Sequence, residues 1–211
     1  MRMHEFTKKF NVAESIAREG DWRKDESHIG TLSAFMFEKT WIAIDDIQTL
    51  EKTYTFAKHG TMDSYILGTL EDINKNGEIK KAFDIVLKID LTKQDKLESV
   101  LPYKNLYRVN EVFVRKDKRG MGIATEVYIY LVNNGMSLIG DREQYFGARK
   151  LWSNLSKNLD VVVDLVDLST NRIIYTDVVL HHGQYDEDFD NRLWDYGYSK
   201  ETVRPILKLI K

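Results

Sequence analysis

The sequence of 211 residues contains no cysteine and only two prolines, Pro102 and Pro205. The absence of cysteine excludes disulfides, thiolate nucleophiles and every zinc or iron–sulfur site that needs a cysteine ligand. The scarcity of proline excludes a proline-rich linker or a polyproline II ligand. Neither sign of charge dominates, because 31 basic residues are balanced by 33 acidic ones. The chain therefore lacks the basic surplus that supports non-specific nucleic-acid binding.

Long apolar runs are missing as well. No stretch approaches 18 uninterrupted apolar residues, so we expect no membrane-spanning helix. Residues 1–15 lack the apolar segment of a secretory signal. We therefore expect a soluble, cytoplasmic protein. A hydrophobic content of 43% is sufficient for one packed domain.

Hydrophobic spacing predicts two N-terminal helices within residues 9–40, the second of them capped by Ser27. A hairpin follows, in which predicted strands at 64–73 and 82–91 flank a turn that ends in Asn-Gly. In the second of these strands, the odd positions from Ile85 to Leu91 are apolar, which predicts that they share one buried face.

The rest of the chain is predicted to alternate strands and helices. The predicted order is strand 107–114, helix 123–133, strand 136–139, helix 144–156, hairpin 161–180 and a final segment at 200–211 that forms a strand or a short helix. We expect one domain over residues 1–180. Residues 181–211 are expected to form an extension that caps the domain or pairs two copies in a homodimer.

The most informative feature is a basic, glycine-containing turn between the predicted strand 107–114 and the helix that follows it. A turn that opens a helix leaves backbone N–H groups pointing outward, and these groups bind phosphate together with the helix dipole. Gly120 and Gly122 allow an anion to approach the backbone. Arg115 and Arg119 add positive charge beside the turn.

Two common phosphate-binding motifs do not fit this turn. A Walker A loop requires Gly-Lys followed by Ser or Thr, which is absent. A dinucleotide-binding fingerprint requires a third glycine, but Thr125 occupies that position. A nucleotide-phosphate binder without these motifs remains an alternative.

The stretch Val112–Ala124 resembles the acetyl-CoA-binding motif of the GCN5-related N-acetyltransferases, the GNAT family. That motif reads Arg/Gln-x-x-Gly-x-Gly/Ala after a strand that ends in an apolar-Val pair. Arg119, Gly122 and Ala124 occupy its fixed positions. Residues 136–155 are similar to the strand and helix that hold the other side of the cofactor, with a spacing like that of small bacteriophage-encoded members.

The resemblance implies an α/β fold with a GNAT-like mixed, mostly antiparallel central sheet, a splayed parallel strand pair and flanking helices. It implies that acetyl-CoA enters between the strands at 107–114 and 136–139, and that the acetyl group passes to a primary amine of a protein or a small molecule. The cofactor-binding residues that it implies are Phe113, Val114, Arg115, Arg119, Gly120, Met121, Gly122, Ile123, Ala124 and Trp152.

The acid and the base depart from the family pattern. Trp152 stands where many members carry a tyrosine acid, and Arg108 stands near a position that is often a carboxylate. We therefore expect Glu111 to act as the base through a water molecule, and Tyr145 to act as the acid. The alternative is a GNAT-like protein that has lost turnover and acts by binding or inhibiting a protein partner.

A polar stretch begins at His181 and contains the acidic run Asp186–Asp190. Its residue types include metal ligands, but such a run is more typical of a solvated loop, and we expect no metal site. An acidic run also attracts cations, so a basic substrate is an alternative ligand for this stretch.

Overall fold

The structure is a computed structural model that describes residues 31–50, 52–75, 77–141, 146–180, 193 and 203–210. Several sequence predictions lie outside these residues. They are the first N-terminal helix, the Ser27 cap, the candidate acid Tyr145 and the acidic run Asp186–Asp190.

Ten strands of the described part form one open sheet in the order β2-β3-β4-β5-β6-β7-β10-β8-β9, with β1 paired alongside β5. The pairing of β6 with β7 is parallel. The other pairings are antiparallel. The strands are β1 Thr31–Ser33, β2 Trp41–Gln48, β3 Thr53–His59, β4 Ser64–Lys75, β5 Glu78–Lys93, β6 Leu106–Val114, β7 Ser137–Ile139, β8 Val161–Asp167, β9 Arg172–Tyr175 and β10 Val203–Leu209. An α/β fold with a mostly antiparallel sheet is thereby confirmed.

Helices are few and short within the described residues. They are α1 Ala34–Thr40, α2 Asp95–Glu98, α3 Ile123–Asn133 and α4 Phe146–Leu155, with a 3-10 turn at Lys116–Lys118. The helix α3 ends as predicted, because Gly135 has a φ of 86° and supplies the left-handed stop. None of the described helices has the length and apolar character needed to cross a membrane.

The second N-terminal helix begins later than predicted. Thr31–Ser33 pairs with β5 as a strand, and the Ser33 hydroxyl accepts a hydrogen bond from the Met36 N–H at 3.3 Å. Ser33 is therefore the cap of α1. Strand pairing in the folded protein overrides the helical spacing of Leu32 and Phe35.

A bulge in β5 changes the face on which its apolar residues lie. Leu87 pairs with Leu67 and Ile85 with Gly68, so Val86 has no partner in β4. Ile85 consequently belongs to a different apolar cluster from Leu87. The prediction that the odd residues from Ile85 to Leu91 share one face is wrong for Ile85, because an extra residue reverses the alternation.

The two faces of the sheet carry different cores. On the helix face, strand residues such as Tyr65 and Leu138 pack against Val127 of α3 and Trp152 of α4. The opposite face, called here the far face, carries two smaller clusters. One of them is Ala57, Ile66, Phe83 and Ile85, which α1 partly covers. The other is Leu101, Tyr103, Leu106, Ile139, Val166 and Ile206.

The C-terminal segment is an interior part of the sheet. β10 pairs with β7 on one side and with β8 on the other. The predicted boundary at residue 180 is therefore wrong for residues 203–209, which complete the sheet rather than cap it. The alternative of a strand for the final segment is confirmed.

Candidate functional site

The parallel pairing of β6 with β7 is short, and the β7-side edge of β6 beyond it is called here the wedge. The two strands share three parallel pairs, the last of which joins Arg108 to Ile139. Beyond that point, β6 remains paired with β5 as far as Val114. The Gly140 N–H instead donates to the Pro205 carbonyl of β10 over 3.0 Å. The parallel pairing predicted for these strands is confirmed, and residues 109–114 of β6 have no strand partner on the β7 side within the described part of the chain.

The main-chain groups of β6 alternate between β5 and the wedge. The Arg115 N–H donates to the Val86 carbonyl of β5 at 2.9 Å. Because main-chain groups alternate along a strand, those of Phe113 also face β5, and those of Val112 and Val114 face the wedge. The resemblance implies that Phe113 binds the cofactor, but the register turns the main-chain groups of Phe113 toward β5 and those of Val112 toward the wedge.

A one-residue bulge at Asn110 reverses the side-chain alternation of β6. Val109 packs into the core of the helix face before the bulge, and Val112 does so after it. Glu111 and Phe113 consequently lie on the far face. Strict alternation along residues 107–114 would place Val109, Glu111 and Phe113 on one side of the strand, and the bulge separates Val109 from the other two.

Glu111, the candidate base, is an exposed carboxylate at the rim of the wedge. It pairs across the strands with Asp90, which accepts a hydrogen bond from the Ser64 hydroxyl at 2.5 Å and forms an ion pair with Lys88 at 2.8 Å. No hydrogen bond or ion pair joins the Glu111 side chain to another described residue. Its carboxylate is therefore accessible to a water molecule, and its role as base remains a prediction.

Gly120 and Gly122 give the turn its shape. Their φ angles are 80° and 78°, in the left-handed region that favours glycine. A Cβ on either glycine would meet no atom of the described residues within 4 Å. Glycine is therefore needed here for backbone conformation, and it also leaves open space in front of the turn.

The turn leads into α3 with its N–H groups exposed. Gly122 is the N-cap and provides no side-chain cap. The first helical hydrogen bond runs from the Glu126 N–H to the Gly122 carbonyl over 3.1 Å. The N–H groups of residues 123–125 have no acceptor inside the helix, as is general for a first turn. Backbone donors and the positive end of the helix dipole thus face the same open space.

The other predicted contact residues of the turn differ in accessibility. Met121 is 40% exposed, whereas Ile123 is 1% exposed and packs in the core of the helix face. Ile123 therefore offers a ligand only its backbone N–H. Ala124 is half-buried. Arg119 is exposed, and its Nε donates to the Val114 carbonyl at 2.9 Å, which places its guanidinium between the edge of β6 and the glycine turn.

Arg115 serves the turn in a way that the sequence did not indicate. Its Nη1 lies 2.7 and 2.6 Å from the two carboxylate oxygens of Asp84 in β5. Its Nε lies 2.7 Å from Asp117 in the turn itself. Two carboxylates engage this guanidinium, so we assign Arg115 to anchoring the turn on β5 rather than to contacting a phosphate.

The Arg115–Asp117 contact gives a pH-dependent prediction. A hydrogen bond from Arg115 is the main reason that the pKa of Asp117 is lowered from its ordinary value. The stability from this pair is therefore present above the ordinary pKa of aspartate and is lost as the pH falls through the lowered pKa. We expect Arg115→Gln to return the pKa of Asp117 to its ordinary range in a carboxyl NMR titration. Lys118→Gln is the control and should leave most of the shift, and an unchanged pKa in Arg115→Gln would contradict the anchoring role.

Trp152 is a core residue. It is 2% exposed, and its ring packs edge-on against Tyr128 at 5.9 Å between centroids. A ligand in the wedge has no access to a side chain at this depth. The prediction that Trp152 contacts the cofactor is therefore wrong, and the same burial keeps this position of α4 from serving as an acid.

Sequence reasoning missed three contributors near the wedge. They are the Val112 backbone, the Asp84 anchor and the polar side chain of Asn110 in β6. Only Asn110 gave a signal, since an asparagine is unusual inside an apolar strand. In the part of the chain that the structure describes, no three His, Cys, Asp or Glu side chains are grouped as a metal site would require.

Comparisons of the chain with family models, with curated proteins and with solved structures found no match. The site is therefore characterised by its own geometry. Three parts follow one another along the chain: the wedge-facing backbone of Val112 and Val114, the left-handed turn at Gly120–Gly122, and the open first turn of α3.

Proposed function

We propose that this chain is an acetyl-CoA-dependent N-acetyltransferase with a GNAT-like arrangement of its sheet. Two observations carry the proposal. Residues 109–114 of β6 have no strand partner on the β7 side within the described part of the chain, and the turn at Gly120–Gly122 that follows β6 opens into the uncapped N-terminus of α3. Acetyl-CoA has a pantetheine arm with amide groups and a pyrophosphate, and these features offer an open strand edge and an anion-binding turn. The resemblance of Val112–Ala124 to the GNAT motif supports the same ligand.

The residues present suit such a ligand. The Val112 N–H and carbonyl would pair with the amides of the pantetheine arm, as an added strand would. The N–H groups from Gly120 into the first turn of α3 would receive the pyrophosphate, because no Cβ at the glycines fills that space. Arg119 would turn its guanidinium toward the same phosphates. When bound, acetyl-CoA supplies the activated acetyl thioester.

The chain's own residues have limited tasks in this reaction. Glu111 would remove a proton from the acceptor amine through a water molecule, and Tyr145 is the proposed acid for the thiolate. Positioning of the two reactants would supply much of the rate. The chain has no cysteine, so an acyl-cysteine intermediate is excluded. We propose that the acetyl group passes directly from the thioester to the amine within a ternary complex. Strict ping-pong kinetics would contradict this order.

Calorimetry tests the ligand and a thiol assay tests the reaction. We expect acetyl-CoA to bind with a Kd below about 1 mM, which corresponds to about −4.1 kcal/mol, and to bind more tightly than ATP or GTP. We expect a panel of primary amines to contain an acceptor that releases free CoA, which a thiol reagent detects without background because the protein has no cysteine. Absence of heat at millimolar acetyl-CoA, or tighter binding of ATP, would contradict the proposal.

The second candidate is a GNAT-like binding protein without turnover. The burial of Trp152 favours it, because the position where many family members carry an acid cannot reach a ligand here. Acetyl-CoA binding without CoA release from any amine, together with one stoichiometric protein partner, would select this candidate. CoA release dependent on an amine would exclude it.

A further inference from the structure

Polar side chains form a chain of contacts at the point where β6 and β7 diverge. The Asn110 amide, at the bulge of β6, donates to the Thr92 hydroxyl of β5 over 2.6 Å. Its oxygen accepts a hydrogen bond from Arg108 Nε at 3.1 Å. The same Nε lies 3.7 Å from Asp141, which follows β7. Side chains thus connect β5, β6 and the end of β7, and these four residues are called the brace.

The brace begins where the main-chain link between the two strands stops. Arg108 is the last residue of β6 that pairs with β7, opposite Ile139. Two residues beyond Ile139, Asp141 reaches back toward Arg108, while Gly140 stays bonded to β10. The brace therefore spans the closed end of the wedge, and the Asn110 side chain ties the bulge to β5.

The contacts in the brace suit a geometric role better than a stabilising one. The Arg108 and Asp141 side chains are 36% and 35% exposed, and an ion pair at such exposure contributes about 0–1 kcal/mol to stability. At 3.7 Å, the pair is an electrostatic contact rather than a hydrogen bond. A bulge bends its strand and changes the direction of the residues that follow it. The contacts that fix Asn110 therefore also fix the path of β6 from the bulge to Val112.

We propose that Thr92, Asn110, Arg108 and Asp141 fix the opening of the wedge and are positioning residues for the ligand bound along β6. The inference rests on the proposed function, since the wedge is the site assigned to acetyl-CoA. A ligand that pairs with the Val112 backbone depends on hydrogen bonds that weaken steeply with distance and angle. A strand edge held in place before binding also lowers the ordering cost of association.

The test uses Asp141→Asn and Asn110→Ala with two readouts. In the ligand-free protein, amide hydrogen exchange around Arg108 and Ile139 should quicken about threefold, equivalent to about 0.7 kcal/mol of local opening. The Kd for acetyl-CoA should rise about three- to tenfold. The melting temperature should stay within about 2 °C of the wild type, and Asp141→Glu should restore part of the affinity.

Asp63→Asn is the matched control. It removes the Lys58–Asp63 ion pair, which spans 3.2 Å with side chains 41% and 35% exposed. This pair lies at the β3–β4 turn, and two strands separate β3 from β6. Exchange at the wedge and the Kd for acetyl-CoA should therefore both remain at wild-type values.

The outcomes separate this inference from the function on which it rests. Faster exchange with weaker acetyl-CoA binding in both brace variants supports it. Unchanged exchange around Arg108 and Ile139 overturns it, whatever the affinity of the wild type. Faster exchange with an unchanged Kd also overturns the positioning role. If the wild type binds no acetyl-CoA at all, the proposed function fails, and faster exchange in the variants would still support the brace as the element that sets the opening.

Discussion

Gly122→Glu is expected to weaken acetyl-CoA binding by about 100-fold or more, which corresponds to about 2.8 kcal/mol. The substitution places a Cβ and a carboxylate in front of the first turn of α3, where no atom of the residues that the structure describes lies within 4 Å of that Cβ. A negative charge there repels the pyrophosphate and competes for the same N–H donors. Titration calorimetry of the folded variant gives the measurement.

A matched control separates this effect from backbone strain. Gly77, at the β4–β5 turn, has a φ of 84° against 78° for Gly122, and its Cβ would likewise meet no atom within 4 Å in the described part of the chain. Both Glu variants should lose roughly 1–2 kcal/mol of stability, the cost of a left-handed conformation with a side chain. Gly77→Glu should keep wild-type affinity for acetyl-CoA. Equal affinities in the two variants would refute the assignment of the turn.

Trp152→Ala is expected to lower the free energy of unfolding by about 3–5 kcal/mol and the melting temperature by roughly 6–20 °C. The side chain is 2% exposed and joins α4 to Tyr128 of α3, so truncation leaves a cavity beneath both helices. Chemical denaturation and calorimetry measure the loss.

The conservative variant Trp152→Phe separates packing from ligand contact. It retains an aromatic ring in the core and should cost less stability than alanine does. At a temperature where it is fully folded, its Kd for acetyl-CoA should match the wild type. A Kd raised about tenfold or more in a stably folded Trp152→Phe would show that the indole contacts the ligand, contrary to its burial.

Local signals in the sequence predicted the elements around the wedge well. The Asn-Gly turn indicated the β4–β5 hairpin, and Gly135 indicated the end of α3. These features depend on the conformational preferences of a few adjacent residues. The two bulges were not predictable in this way, because one extra residue in a strand becomes visible only when its partner strand is known. Val86 and Asn110 are the extra residues of the two bulges. Each of them reverses the order in which side chains alternate between the two faces of the sheet.

The site was predictable in its backbone and less so in its side chains. Gly120 and Gly122 indicate left-handed backbone conformations from the sequence alone. Arg115 looked like a phosphate ligand because its partner Asp84 lies 31 positions away along the chain. Trp152 looked accessible because helical spacing does not report depth beneath a neighbouring helix. Likewise, nothing local places the strand at 203–209 between β7 and β8.

Amide NMR with acetyl-CoA tests the central claim most directly, namely that the ligand lies along β6 and on the turn before α3. Titration of the isotope-labelled protein should shift the amide signals of Val112, Val114 and residues 120–125 more than those of β9, a strand at the edge of the sheet. Saturable shifts confined to these amides are the predicted result. Unchanged signals at these positions under saturating acetyl-CoA, or shifts centred on β9, would contradict the account.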